Sequence, residues 1–278
     1  MLNQITPEVV FNGQFMTSTP EMHFIEPPVY EVIRVMDGIP LFFEDHMARL
    51  FHSFALVGYN PPFDAKVLYT QINQMIAHTG IRDNNIRLEV GRAPDAAIQS
   101  VLFWVKSIYP PVTDYEKGVE TITATEERPN PHAKVFRSDY ATRISRLREE
   151  TGAFEVILVT HDGIVTEGSR SNLFFIKDQK LYSASSEDVL MGITRQHLIE
   201  MVKSLGIELI EGDIDLNTLE TFEACFLTGT SIHLLPVKCI DQRNYPSAHH
   251  PLFIKLKEAF EGIVINDLSK TRRQHQND

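Results

Sequence analysis

Cysteine is scarce in this 278-residue chain, with only Cys225 and Cys239 present. Two thiols make neither a disulfide framework nor a metal-ligand pattern, which points to a reducing compartment. Long apolar runs are missing as well, and none is long enough to span a bilayer. Where a secretory leader would be apolar, Met1 to Thr17 carries polar and acidic residues. Cationic excess is absent: 26 Lys and Arg stand against 37 Asp and Glu, a formal net charge of −11. That balance argues against nucleic acid or an anionic membrane as the main partner. A local cluster of arginines could still receive a small anionic ligand. Repeats and low-complexity tracts are also lacking. With 43% apolar and 23% charged residues, the chain has an ordinary globular composition. Its length allows one large domain or two small ones. The expectation is a cytoplasmic protein of enzyme size.

The first part reads as strands with two helices. Val29 to Val35 is rich in β-formers, Asp37-Gly38 is a hairpin turn signal, and Ile39 to Phe43 follows as a short strand. Glu44 to Leu56 has helical spacing at Met47, Leu50, Phe51 and Phe54, and Val67 to Ala77 reads as a second helix. Ile86 to Val90 and Ser100 to Ser107 read as strands. Breakers and polar residues cluster between positions 110 and 131, including the Arg128 to Pro131 stretch (RPNP), so a domain boundary is expected there. This divides the chain into a domain over 1–115 and a second over 116–278. In the second, helices are expected over Ser138 to Glu150, Ile193 to Leu205 and Leu252 to Ile263. Strands are expected over Phe154 to Thr160, Leu173 to Ile176, Lys180 to Ser183, Phe222 to Leu227 and Ile232 to Ile240. The tail after Lys270 is polar and expected to fray. The sum is an α+β fold in two lobes, with much antiparallel pairing.

Several residues have types that chemistry could use, although each alone is more often structural. Lys134 stands in Pro131-His-Ala-Lys-Val, at the lobe junction. A solvated lysine is the common case, but a desolvated one loses its proton and can form an imine. Glu167 lies in Val165-Thr166-Glu167-Gly168-Ser169-Arg170-Ser171-Asn172 just after a turn. A carboxylate there could hold a proton on a pyridine nitrogen, and Ser171 and Asn172 could order the loop. Gly192-Ile193-Thr194 opens a helix and Gly229-Thr230-Ser231 follows a strand, and both could offer backbone N–H groups to a phosphate. Arg49, three residues after His46 and on the same helix face, could clamp a phosphate, with His46 packed beside it. Arg34, Arg87, Arg92 and Arg170 recur near the same strands and loops. They face solvent in the common case, or line a pocket for substrate carboxylates.

In order and spacing, these pieces resemble the class IV, or fold-type IV, pyridoxal-phosphate enzymes. The match runs through Tyr30-Glu31-Val32-Ile33-Arg34, His46…Arg49-Leu50, Lys134, Thr166-Glu167-Gly168…Asn172, Gly192-Ile193-Thr194-Arg195 and Thr228-Gly229-Thr230. It extends from about residue 10 to 265 and covers D-amino acid aminotransferases, branched-chain aminotransferases and aminodeoxychorismate lyases. The resemblance implies a smaller N-terminal α/β domain and a larger cofactor-binding domain with antiparallel-rich sheets. It implies pyridoxal 5′-phosphate as cofactor, bound to Lys134, with Glu167 on the pyridine nitrogen and Leu190 under the ring. Arg49, Ile193, Thr194 and Thr230 would hold the phosphate. Tyr30 would line the substrate pocket, with Ser231 and one of the four arginines. A homodimer is implied too.

The chain also departs from the pattern. Glu26-Pro27-Pro28-Val29 replaces a glycine-rich Asp-Arg-Gly stretch. Arg92-Ala93-Pro94-Asp95 replaces the Arg-x-His carboxylate trap common in D-amino acid aminotransferases. Tyr140 follows Lys134 by about the distance of a ring-hydroxyl tyrosine in branched-chain enzymes, but the two are not equated. The expected function is transamination between an amino acid, leaning to the D series, and a 2-oxo acid such as 2-oxoglutarate. A branched-chain L-amino acid transaminase and an aminodeoxychorismate lyase are the alternatives, and a non-catalytic binding protein is the reading from another class.

Overall fold

The computed structural model describes residues 4–18, 23–107, 109–128 and 130–274. Pro129 of the RPNP stretch and the end of the polar tail, 275–278, lie outside the described residues, as do 1–3, 19–22 and Ile108. Contacts group the chain into two compact units. The first holds 1–108, 133–138 and 266–278, and the second holds 109–132 and 139–265.

The first unit is built on an antiparallel sheet. Its strands are β1 (Gln4–Phe11), β2 (Gln14–Met16), β3 (Val29–Met36), β4 (Ile39–Pro40), β5 (Asn84–Arg92) and β6 (Ile98–Val105), in the order β2-β1-β6-β5-β3-β4. Two helices, α1 (Phe43–Val57) and α2 (Ala65–Thr79), pack on it. Alternation in β3 decides which side chains face them. Val29, Ile33 and Val35 join Leu50, Phe54, Leu68, Ile72 and Trp104 in the core, and Glu31 shares their face. Tyr30, Val32 and Arg34 take the other face, where register places them beside Glu89, Arg87 and Asn85. Both residues of the Asp37-Gly38 turn have positive φ, the geometry an Asp-Gly hairpin loop requires. The second strand of that hairpin is shorter than the expected Ile39 to Phe43. Pro40 is its last residue, and Phe42 turns left-handed at φ 52° into α1. Asp64 caps α2 by accepting the Val67 N–H at 2.8 Å.

The second unit carries a mixed sheet. Its strands are β7 (Val119–Thr125), β8 (Glu155–Val159), β9 (Val165–Gly168), β10 (Asn172–Lys177), β11 (Lys180–Ser183), β12 (Leu209–Glu211), β13 (Ala224–Gly229), β14 (His233–Ile240) and β15 (Arg243–Asn244). The order is β12-β11-β10-β13-β14-β7-β8-β9, with β15 on β14. The helices are α3 (Val112–Lys117), α4 (Ser138–Thr151), α5 (Ile193–Ser204) and α6 (Pro251–Gln274). Register separates the two faces of β10 and β13. Leu173 and Phe175 lie beside Leu227 and Cys225 in one core. Asn172 and Phe174 lie beside Thr228 and Phe226 on the opposite face, where Phe253 of α6 and Arg195 of α5 meet the aromatic rings.

The last helix is longer than the expected Leu252 to Ile263 and runs into the polar tail. α6 continues to Gln274, and its residues from 266 onward belong to the first unit, where Asp267 accepts the Phe42 N–H at 2.8 Å and Arg272 pairs with Asp37 at 3.1 Å. Among the described residues no helix is long and apolar enough to cross a membrane, and no cluster of metal-binding side chains occurs.

Candidate active site

In the first unit, residues around Lys134 form a short antiparallel pairing with the start of β3. Tyr30 N–H donates to Lys134 O at 3.0 Å, Phe136 N–H donates to Pro28 O at 2.9 Å, and Val29 bridges Val135. The Lys134 N–H donates in turn to the Ser53 hydroxyl of α1 at 3.2 Å. Its backbone is therefore fixed on both sides. The Lys134 Nζ lies 4.6 Å from the centroid of the Tyr30 ring. Arg87 stacks beside the same ring, 4.5 Å from Tyr30 and 4.4 Å from Phe136. Lys134, Tyr30 and Arg87 are thus brought together by β3, β5 and one short segment.

A buried charge cluster lies behind β3. Glu31 receives Arg49 Nε on Oε1 and Arg49 Nη2 on Oε2, each at 2.7 Å, and His46 Nδ1 lies 2.9 Å from Oε2. Glu31 and His46 are fully buried. Burial alone would raise the Glu31 pKa. The Arg49 charge and the bonds from His46 and Arg49 outweigh it and hold the carboxyl well below the usual carboxylate range. Burial pushes the His46 imidazole the opposite way, below its ordinary 6.5. The Glu31 bond opposes this, and the charges of Arg49 and Lys134 add to it. A neutral His46 donates from Nδ1 and keeps a lone pair on Nε2, which is buried and has no partner among the described residues. Sequence reasoning expected the Arg49 fork on a phosphate, whereas in the structure the fork lies on Glu31.

The four candidate arginines separate by environment. Arg34 reaches an exposed Asp83 at 3.9 Å. Arg92 lies 4.0 Å from Glu26 and 5.4 Å from the Tyr59 ring. Arg170, in the second unit, is half-exposed and donates to Phe154 O. Arg87 alone of the four stacks between rings beside Lys134. Its ion pair with Glu89, at 2.7 Å, leaves Nε without a hydrogen-bond acceptor among the described residues.

In the second unit, Glu167 is buried at the end of β9. Arg128 Nε donates to its Oε1 at 2.8 Å. Asn172 Nδ2 and the Leu190 N–H donate to Oε2 at 3.0 and 3.2 Å. Asn172 also donates to Leu190 O at 2.8 Å, so one amide ties the Glu167 carboxylate to the Leu190 backbone. Ser171 was expected, with Asn172, to order the loop between β9 and β10 through backbone hydrogen bonds; instead Ser171 and Ser169 both donate to the buried Glu155 carboxylate.

Ile193 and Thr194 form the first turn of α5, whose start at Gly192 has no side-chain cap. Gly192 has an ordinary φ of −67°, so backbone freedom does not explain it. A Cβ there would run into Asn172 Oδ1. The Thr194 hydroxyl and the Thr228 hydroxyl, across from Asn172, are buried without partners among the described residues. Thr230 and Ser231 occupy the turn between β13 and β14, closed by Ile232 N–H to Gly229 O at 3.1 Å.

Sequence reasoning gave no role to Glu31, Arg128 or Thr228. A charged residue at a core-facing position of an alternating strand was the available signal for Glu31. The RPNP stretch gave no comparable signal for Arg128.

Family and fold define an enzyme of the aminotransferase class. The profile described as Amino-transferase class IV matches residues 28–240, and the chain belongs to that family. Among its relatives is a D-alanine aminotransferase from Bacillus licheniformis, 29% identical over 95% of this chain and 99% of that one. A probable branched-chain-amino-acid aminotransferase from Rickettsia conorii is 27% identical over 95% and 98%. In fold, the chain matches a T.th. branched-chain amino acid aminotransferase with pyridoxamine 5′-phosphate. That match has a TM-score of 0.82 at 24% identity and covers 94% of this chain and 95% of that one. The fold is accordingly the α+β fold-type IV architecture.

Proposed function

We propose that the protein is a pyridoxal 5′-phosphate-dependent transaminase that moves an amino group between a D-amino acid and a 2-oxo acid such as 2-oxoglutarate. The observation that carries this reading is Lys134. Its peptide group is pinned between β3 and Ser53, and its amine lies against the Tyr30 ring. When bound, pyridoxal phosphate links to a lysine amine and draws electrons from the carbon that carries the substrate's amino group.

The residues present fit that group. A phosphate needs donors that lack acceptors, and the uncapped start of α5 with the partnerless Thr194 and Thr228 hydroxyls supplies them. The Ile193 and Thr194 amides and Thr230 are assigned to the same task. Arg49, whose Nε and Nη2 lie on Glu31, is assigned to the phosphate on the family resemblance. Glu167, buried and held by three donors, is assigned to the ring nitrogen, and Leu190, tied to it, to the ring face.

Lys134 Nζ would take the substrate α-proton as general base and hold it for the 1,3-proton transfer that transamination requires. The Tyr30 ring favours the resulting ammonium, since a cation is attracted to a ring face. His46, neutral because it is buried, adds no second positive charge beside it. Arg87 is assigned to a substrate carboxylate, with Tyr30 and Ser231 lining the pocket and Arg34, Arg92 and Arg170 as the alternatives it displaces.

The lean to D-amino acids is supported by the end-to-end relationship to a D-alanine aminotransferase and by the Val29-Tyr30-Glu31-Val32 and Glu167 to Asn172 segments. A branched-chain L-amino acid transaminase is the second reading, supported by the Rickettsia relative and by the strand position of Arg87. Mixing the cofactor-loaded protein with single D- and L-amino acids, and following loss of its visible-edge absorbance, tests the choice. A response to D-amino acids alone supports the first reading, and a response to L-branched-chain amino acids refutes it. Pyruvate released from aminodeoxychorismate without an oxo acid would show a lyase instead. We assign the active form as a homodimer, and a single-chain mass by light scattering would oppose that.

A further inference from the structure

Arg128 sits on the carboxylate assigned to the ring nitrogen. Its Nε donates to Glu167 Oε1 and its Nη2 to Ser169 O, both at 2.8 Å. The Tyr140 ring lies 5.6 Å from the guanidinium carbon, and its hydroxyl donates to the same Ser169 carbonyl at 3.4 Å. The opposite oxygen, Oε2, takes two neutral donors, from Asn172 and Leu190. The Glu167 side chain is 3% exposed. A carboxylate so short of water takes up a proton unless a cation or enough donors hold it ionised. Arg195 acts on Glu167 through its charge, but its N–H groups go to Ser183, Ala184, Ser186 and Glu211. The guanidinium in direct contact is that of Arg128.

We propose that Arg128 is a positioning residue. It keeps Glu167 ionised and fixes the plane of its carboxylate. Through Glu167 it sets how strongly the site prefers a ring nitrogen that can carry a proton over a ring atom that cannot. The proposal rests on the cofactor reading above. Two effects oppose each other. The guanidinium repels a protonated ring, yet it touches the carboxylate directly and is farther from any ring that the carboxylate meets, and Coulomb interaction weakens with distance. Loss of the cation, by contrast, leaves a dry carboxyl that takes its own proton on Oε1. The ionising effect therefore dominates.

The test measures the affinity of the cofactor-free protein for pyridoxal phosphate and for its 1-deaza analogue, in which C–H replaces the ring nitrogen. A purely structural role of Arg128 would lower both affinities together, whereas a role through Glu167 lowers their ratio. Wild type is expected to prefer pyridoxal phosphate. Arg128→Gln is expected to lose about tenfold of that preference, the loss of one charge-assisted hydrogen bond, and to approach Glu167→Gln. Arg128→Lys keeps a cation and is expected to fall between them, which preserves the test if the glutamine variant does not fold. A ratio unchanged or raised in both Arg128 variants overturns the proposal. The infrared difference spectrum of cofactor-free Arg128→Gln should also gain the carbonyl band of a protonated carboxyl, absent when Glu167→Gln is added; no such band again overturns it. Failure of wild type to bind pyridoxal phosphate refutes the cofactor reading instead, and the infrared result then decides on Arg128 by itself.

Discussion

Arg49 lays two N–H groups of its guanidinium on Glu31, Nε on Oε1 and Nη2 on Oε2, in a pair that β3 and α1 bury together. A bidentate pair in a core is expensive to break from one side, because the partner is left as an uncompensated buried charge. It also changes the electrostatics near Lys134, since Glu31 offsets most of the positive charge that Arg49 would otherwise project.

Glu31→Gln should therefore lose about 3–5 kcal/mol of stability at neutral pH. The pH dependence follows from the direction of each shift. The folded-state pKa of Glu31 lies below its ordinary 4.5, so its contribution is present above 4.5 and is lost as pH falls below that value. The folded-state pKa of His46 lies below its ordinary 6.5, so the unfolded chain takes that proton first and stability also falls below 6.5. Urea unfolding midpoints at several pH values provide the check. The gap between wild type and Glu31→Gln should narrow below pH 4.5, and a constant gap would contradict the assignment.

Thr194→Val removes a buried hydroxyl that no described residue satisfies. The cofactor-free protein should keep its stability within about 1 kcal/mol, because no protein hydrogen bond is broken. Affinity for pyridoxal phosphate should fall about tenfold, with affinity for unphosphorylated pyridoxal unchanged. Equal loss for both ligands would remove Thr194 from the phosphate site.

How far the sequence could be read differs from residue to residue. The Asp37-Gly38 hairpin, α1, α2 and the β10–β11 hairpin were legible because local turn chemistry and periodicity define them. β1 and β7 were not. Pro7 interrupts the pattern of the first, and β7 follows so closely on Pro110 and Pro111 that breakers dominate the reading. Among the candidate residues, Lys134, Glu167 and Thr194 stood out by order and spacing. The pairing of Arg128 with Glu167 spans 39 positions, and the fork of Arg49 is settled by the burial of Glu31. The first relation leaves no local trace in the sequence, and the second leaves only a charged residue at a core-facing position of β3.

Gly192→Ala adds a methyl group where Asn172 Oδ1 already lies. Asn172 must then move, which weakens its bonds to Glu167 and to Leu190 O. The expected outcome is at least about tenfold weaker cofactor binding with α5 intact by circular dichroism, since alanine favours helix. Unchanged binding would mean that Asn172 does not position Glu167.

Arg87→Ala should raise the Michaelis constant for 2-oxoglutarate about tenfold or more, the cost of one charge-assisted contact, and leave that for a monocarboxylic oxo acid nearly unchanged. Alanine at Arg34, Arg92 or Arg170 should have much smaller effects, because those side chains sit at exposed or part-exposed ion pairs. A larger effect at one of those three would transfer the carboxylate role to it.

The central claim is that Lys134 carries the cofactor. Borohydride treatment of the pyridoxal-phosphate-loaded protein, followed by peptide mass spectrometry, locates the amine that holds it. The account predicts a phosphopyridoxyl group on Lys134, with no incorporation in Lys134→Ala. Incorporation at a different lysine, or none in wild type, would contradict it.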